Sequence, residues 1–197
     1  MASASMSPPQ TIALFGGTFD PIHLGHLRIA ELAVEALELD EVRFLPCRIS
    51  PHKTGHPPTP ACHRLEMMRL AIRNYPWAVA DDYELIGPEP SYSYLTVAEV
   101  RRKHPSARIF WIMGYDQWNA LPRWKEPEKL AGEVEFIVFS RSGDPQPRDG
   151  WKLHSLKGTH PASASAIRES FNAGNPCSEW LPPLVSAYIR KNQLYTP

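Results

Sequence analysis

The opening stretch Ile12-Ala13-Leu14-Phe15-Gly16-Gly17 constrains the fold more than any other part of the chain. A short apolar run stopped by two glycines reads as a buried strand followed by a turn that glycine backbones permit easily. From Leu24 the period changes. Leu27, Ala30, Val34 and Leu37 recur at helical spacing, with Arg28, Glu31, Glu35 and Glu38 on another stripe, so an amphipathic helix packs one face on a sheet. Val42-Arg43-Phe44-Leu45-Pro46 is the second strand. Strand, glycine turn, helix and strand make a βαβ unit with a right-handed crossover.

The alternation continues. Cys47 to Pro60 is rich in Pro, His and Gly and reads as a long functional loop. Leu65, Met68 and Ile72 mark a helix that Asn74-Tyr75-Pro76 ends, and Trp77-Ala78-Val79-Ala80 is a weaker strand. Ser93 to Lys103 reads as a helix, and Ile109-Phe110-Trp111-Ile112-Met113 and Val134 to Phe139 as buried strands. Ser140 to Gly150, with Pro145 and Pro147, is a surface loop. Ser163 or Ser165 can cap a helix through Ile167 and Phe171, and Pro182-Pro183 can open a last one with Leu184, Val185, Tyr188 and Ile189 inward. The expectation is a single α/β domain over 11–197, a Rossmann-like, doubly wound, mainly parallel sheet, after a disordered lead-in over 1–10.

Ligands of such sheets bind outside the carboxyl ends of the strands, and both Gly16-Gly17 and Gly114-Tyr115-Asp116 follow strand ends. Glycine N–H groups and the N-terminus of the next helix attract an anion there. His23-Leu24-Gly25-His26 sets two histidines on the first helical turn, a spacing that suits gripping a phosphate better than holding a metal. The 21 basic residues balance the 21 acidic ones, which argues against nucleic acid or an anionic membrane and for small-molecule partners. No stretch approaches the roughly 20 apolar residues that span a bilayer. Three cysteines without a CxxC pair suit a reducing cytoplasm.

The segment Gly16-Gly17-Thr18-Phe19-Asp20-Pro21-Ile22-His23-Leu24-Gly25-His26 closely resembles the signature of the HxGH nucleotidyltransferase superfamily. Within it, the whole chain resembles the bacterial nicotinate mononucleotide adenylyltransferase family. The resemblance extends through Pro51-His52-Lys53, His63-Arg64-Leu65-Glu66-Met67, Ser91-Tyr92-Ser93 with Thr96, Ile112-Met113-Gly114-Tyr115-Asp116, Leu121-Pro122-Arg123-Trp124 and Ser163-Ala164-Ser165-Ala166-Ile167-Arg168.

This resemblance implies a nucleotidyltransferase fold, ATP and nicotinate mononucleotide as substrates, and Mg²⁺ accompanying ATP. It implies that His23, His26 and Arg168 are catalytic. Gly16, Gly17, Thr18, Phe19, Gly114, Asp116 and Ser165 would join them in binding ATP. Asp20, Lys53, Thr96 and Trp124 would bind the acceptor, Trp124 by stacking on the pyridine ring. The family commonly has Asp where this chain has Leu95, and Ser where it has Ala164. Nicotinamide mononucleotide, phosphopantetheine or another phosphomonoester would suit the same first-turn chemistry. A class I aminoacyl-tRNA synthetase shares HxGH but also needs a Lys-Met-Ser-Lys-Ser-like segment. Readings of another class are a silent nucleotide-binding protein and a zinc module built on Cys47, His52, His56, Cys62 and His63. A homodimer is compatible with the sequence but not specified by it.

Overall fold

The computed structural model describes residues 9–48, 57–87, 91–141, 143–158, 160–175 and 178–196. Six strands, β1 (Thr11–Gly17), β2 (Glu41–Pro46), β3 (Ala78–Ala80), β4 (Arg108–Gly114), β5 (Glu135–Ser140) and β6 (Leu153–Lys157), form one sheet in the order β3-β2-β1-β4-β5-β6. Every pairing is parallel. The order reverses direction between β1 and β4, which opens a crevice at their carboxyl ends.

Alternation along the strands makes two cores. Ala13 and Phe15 of β1 face the side covered by α1 (Leu24–Leu37), α2 (Ala61–Ile72), α7 (Ala164–Asn172) and α8 (Pro183–Lys191). Ile12 and Leu14 face α4 (Ser93–Lys103), α5 (Tyr115–Ala120) and α6 (Pro127–Glu133). Two buried faces explain why β1, β4 and β5 read as apolar runs without a polar beat. Among the described residues no helix is long and apolar enough to cross a membrane.

Some expectations need correction. Of the four α8 residues expected to face inward, Val185 and Ile189 are buried, Tyr188 is partly buried, and Leu184 is 39% exposed because it lies on the outer side of the helix. On α2 the buried stripe is Arg64, Met67, Met68, Ala71 and Ile72, while Leu65 is only partly buried. Strand β6, α3 (Tyr83–Ile86), α5 and α6 were not expected. β6 is an edge strand of sequence Leu-His-Ser-Leu-Lys with no buried residue, so it carries no apolar run. The three helices span only 4, 6 and 7 residues, too short to show a helical period.

Candidate active site

The first turn is shaped by one aromatic ring. Neither Gly16 nor Gly17 has a positive φ; the left-handed residue is Phe19, at φ 49°. Gly17 is required for space instead, since a Cβ there would stand 3.1 Å from the Phe19 ring. The buried Phe19 packs edge-on against Phe15, with centroids 5.5 Å apart, and against His26 at 4.9 Å. This ring props His26 toward the crevice.

His23 caps α1 in extended conformation, and its N–H donates to His26 Nδ1 at 3.2 Å. A ring nitrogen that accepts carries no proton, so neutral His26 holds its proton on Nε2 and presents a donor there. The two imidazoles stack with centroids 3.7 Å apart. Burial first, then the charges of His160 and Arg141, lower the His23 pKa from 6.5 to about 4, so His23 stays neutral. Gly25 makes room for this stack, because a Cβ there would lie 3.0 Å from the His23 ring.

A cavity of about 550 Å³ fills the crevice, within the usual size of small-molecule sites. Gly16, Gly17, Thr18, Phe19, Asp20 and His26 line one side, and Gly114, Gln117, Trp111 and Trp124 another. Arg168 enters from α7, whose N-cap is Ser163, with Oγ accepting the Ala166 N–H at 3.2 Å. Arg168 Nη1 donates to the Asp20 carbonyl at 2.7 Å, and Nη2 lies 3.5 Å from Ser165 Oγ. The Asp20 carboxylate accepts from the Tyr195 hydroxyl at 2.6 Å and from the Thr59 N–H at 3.1 Å.

The sequence candidates are not all at the wall. His23 is 7% exposed and lies behind His26, outside the lining. Asp116 and Ser165 are exposed, and neither lines the cavity. Thr96 is buried and donates from Oγ1 to Glu84 Oε1 at 2.9 Å, so its hydroxyl serves Glu84, which does line the cavity. Trp124 meets Trp111 at a T-shaped angle of 83°. Lys53, with Pro51, His52 and His56, lies outside the described residues. Of the zinc candidates, His63 Nδ1 pairs with the Tyr188 hydroxyl at 2.8 Å and Cys62 is exposed. No group of three or more His, Cys, Asp or Glu that could hold a metal occurs among the described residues.

Three residues that sequence reasoning missed shape the site. Arg64, 1% exposed, donates to the carbonyls of Thr18, Cys47, Thr59 and Arg48, tying the loops after β1 and β2 to the start of α2. Glu84 is buried, and desolvation raises its carboxyl pKa from 4.5 to about 7 against the pull of the Thr96 hydrogen bond. Tyr195 reaches Asp20 from 175 residues away. Among them only Arg64 carried a local signal, its place in the motif His63-Arg64-Leu65-Glu66-Met67.

A cytidylyltransferase-like family model matches residues 14–170. A probable nicotinate-nucleotide adenylyltransferase of Methylacidiphilum infernorum is 40% identical over 188 residues, covering 94% of this chain and 92% of that one. The nicotinate-nucleotide adenylyltransferase of Bacillus subtilis is 34% identical over 184 residues, covering 93% and 97%. The Plasmodium falciparum nicotinic acid mononucleotide adenylyltransferase complexed with NaAD shares the fold with a TM-score of 0.76 at 22% identity, covering 94% and 97%. With relatives matched over nearly their whole length and the crevice in place at the β1/β4 reversal, the chain belongs to the cytidylyltransferase-like family and, within it, to the nicotinate-nucleotide adenylyltransferases.

Proposed function

We propose that residues 11–197 act as one unit that joins the AMP moiety of ATP to nicotinate mononucleotide, giving nicotinate adenine dinucleotide and pyrophosphate, a step of NAD biosynthesis. The observation that carries this reading is that His26 and Arg168 line the same cavity as Trp124. Donors for phosphate and a flat aromatic surface for a ring thus meet in one crevice.

The acceptor phosphate, with a second pKa near ~6, is largely dianionic at neutral pH and needs no general base. Its oxygen forms the new bond to the α-phosphorus as the bond to the β-phosphate bridging oxygen breaks, and pyrophosphate leaves with that electron pair. Negative charge gathers on the α-phosphate, so the protein's task is alignment and charge stabilisation. His26 donates from Nε2 to an α-phosphate oxygen, with His23 fixing its ring. Arg168, with Ser165, takes the β- and γ-phosphates through charge-assisted hydrogen bonds. The backbone from Gly16 to Phe19 lies along the triphosphate, and Gly114 and Asp116 serve the adenosine side. Trp124 holds the pyridine ring, and Asp20 and Lys53 belong to the acceptor side, where Thr96 acts through Glu84, to which its hydroxyl donates. Mg²⁺ would enter with ATP, and bound to the triphosphate it would offset the charge that gathers on the departing pyrophosphate. Cys47, whose thiol lies 3.9 Å from the Thr18 hydroxyl, and the exposed Cys62 suit a reducing cytoplasm.

The test is pyrophosphate release with ATP, Mg²⁺ and a panel of nicotinate mononucleotide, nicotinamide mononucleotide and phosphopantetheine. Release with nicotinate mononucleotide, and a dinucleotide of the expected mass, supports the reading. Release only with another acceptor overturns the substrate, and no release with any of them overturns the reaction.

A further inference from the structure

We propose that Tyr195 is a positioning residue for the nucleotide site, holding Asp20 so that the Asp20 carbonyl fixes the guanidinium of Arg168. The inference rests on the assignment of Arg168 to the ATP phosphates.

Four segments meet at Asp20. Its carbonyl takes Arg168 Nη1 at 2.7 Å, one carboxylate oxygen takes the Tyr195 hydroxyl at 2.6 Å, and the other takes the Thr59 N–H at 3.1 Å. Asp20 is 7% exposed yet lines the cavity, so these partners replace water on most of its polar surface. The backbone on both sides of the contact is held in the left-handed region, at Phe19 (φ 49°) and at Tyr195 (φ 64°). Bulky non-glycine residues adopt that conformation only where their surroundings impose it. Here those surroundings aim one aromatic residue at His26 and the other at Asp20. Tyr195 also packs edge-on against Phe171 of α7, the helix that carries Arg168, with centroids 6.4 Å apart.

The proton inventory agrees. Burial, the adjacent Asp20 charge and their hydrogen bond push the Tyr195 phenol far above its ordinary value, with Thr59 and Arg168 opposing. The hydroxyl therefore donates to Asp20 throughout the neutral range. Without that bond Asp20 keeps a single carboxylate partner, and the peptide presenting its carbonyl to Arg168 is less constrained. Arg168 then pays more ordering entropy when it meets the triphosphate.

The test reads MgATP affinity by equilibrium titration, which does not depend on turnover. Tyr195→Phe keeps the ring against Phe171 and removes only the hydroxyl. In the wild-type background it should weaken MgATP roughly 3- to 10-fold, a share of what a hydrogen bond to a charged group contributes. In an Arg168→Ala background, titrated to saturation, the same change should weaken it less than about 2-fold, because the effect passes through the deleted guanidinium. Thermal melting of all four proteins separates this coupling from lost stability, which would weaken binding equally in both backgrounds. Unchanged affinity in Tyr195→Phe, or equal weakening in both backgrounds, overturns the inference. A protein that shows the coupling but releases no pyrophosphate overturns the proposed reaction and leaves the positioning role standing.

Discussion

The imidazole of His26 lies over that of His23, with centroids 3.7 Å and planes 24° apart, while the His23 N–H donates to His26 Nδ1. Two stacked rings this close cannot both carry charge cheaply, and burial keeps the inner one neutral. The outer ring is thereby left with one orientation and one donor facing the cavity.

The first expectation follows from that donor. His26→Ala should lower kcat at least ~100-fold with a modest change in ATP affinity, because a donor aimed at developing phosphoryl charge acts mainly in the transition state. Steady-state pyrophosphate release, with ATP varied at saturating acceptor, checks it. A kcat near that of the wild type would remove His26 from the mechanism.

Stability against pH should depend on two buried groups of opposite sign. His23 titrates at about 4 in the fold against 6.5 for an unperturbed imidazole, so it costs stability as pH falls through that window. Glu84 titrates at about 7 against 4.5, so it costs stability as pH rises through its own window. Each contribution is on the order of 3 kcal/mol at its limit, and the windows overlap. Relative to wild type, His23→Gln should gain stability as pH falls from 6.5 toward 4, and Glu84→Gln should gain as it rises from 4.5 to 7. Urea unfolding across that range measures both tilts. Parallel profiles for a variant and the wild type would show that the substituted group does not titrate differently on folding.

Arg64 should matter for folding more than for chemistry. Its buried guanidinium serves carbonyls at 2.8 Å on Thr59, Thr18 and Cys47 and at 3.3 Å on Arg48. A lysine ammonium is a point donor and cannot reach so spread a set. Arg64→Lys should therefore cost roughly 1–3 kcal/mol for each buried carbonyl left without a donor. The urea midpoint reads this directly, and a loss below about 1 kcal/mol would mean that water replaces the guanidinium.

For the acceptor, the acid mononucleotide should be used about ten- to several-hundred-fold better than the amide. A site whose N–H groups are oriented to accept an anion leaves the amide's own donors without acceptors, at about 1–3 kcal/mol each. Trp124→Ala should lower kcat/KM for both by roughly 5- to 100-fold, since stacking recognises the ring and not its substituent. Equal kcat/KM for acid and amide would refute the specificity, and an unaffected Trp124→Ala enzyme would return that indole to packing against Trp111.

Much of the architecture is determined by local sequence. The bounds of α4 at Ser93 and Lys103, the strand after Thr11 and the helix opening at Leu24 follow from runs and periods of a few residues. The His23/His26 pair is local too, since residues three apart on a helical turn must be neighbours whatever the rest of the chain does. Tertiary structure alone decided the remainder. It sent Leu184 outward, set β6 at the edge, and placed Thr96 on Glu84 rather than at the cavity wall. It brought Tyr195 to Asp20 and Arg64 to four carbonyls, and it moved the Glu84 and His23 pKa values in opposite directions. Periodicity records which face of an element is apolar. Which distant polar atoms then share a dry pocket, and what charge they carry there, depends on desolvation and partners that exist only after the chain has closed on itself.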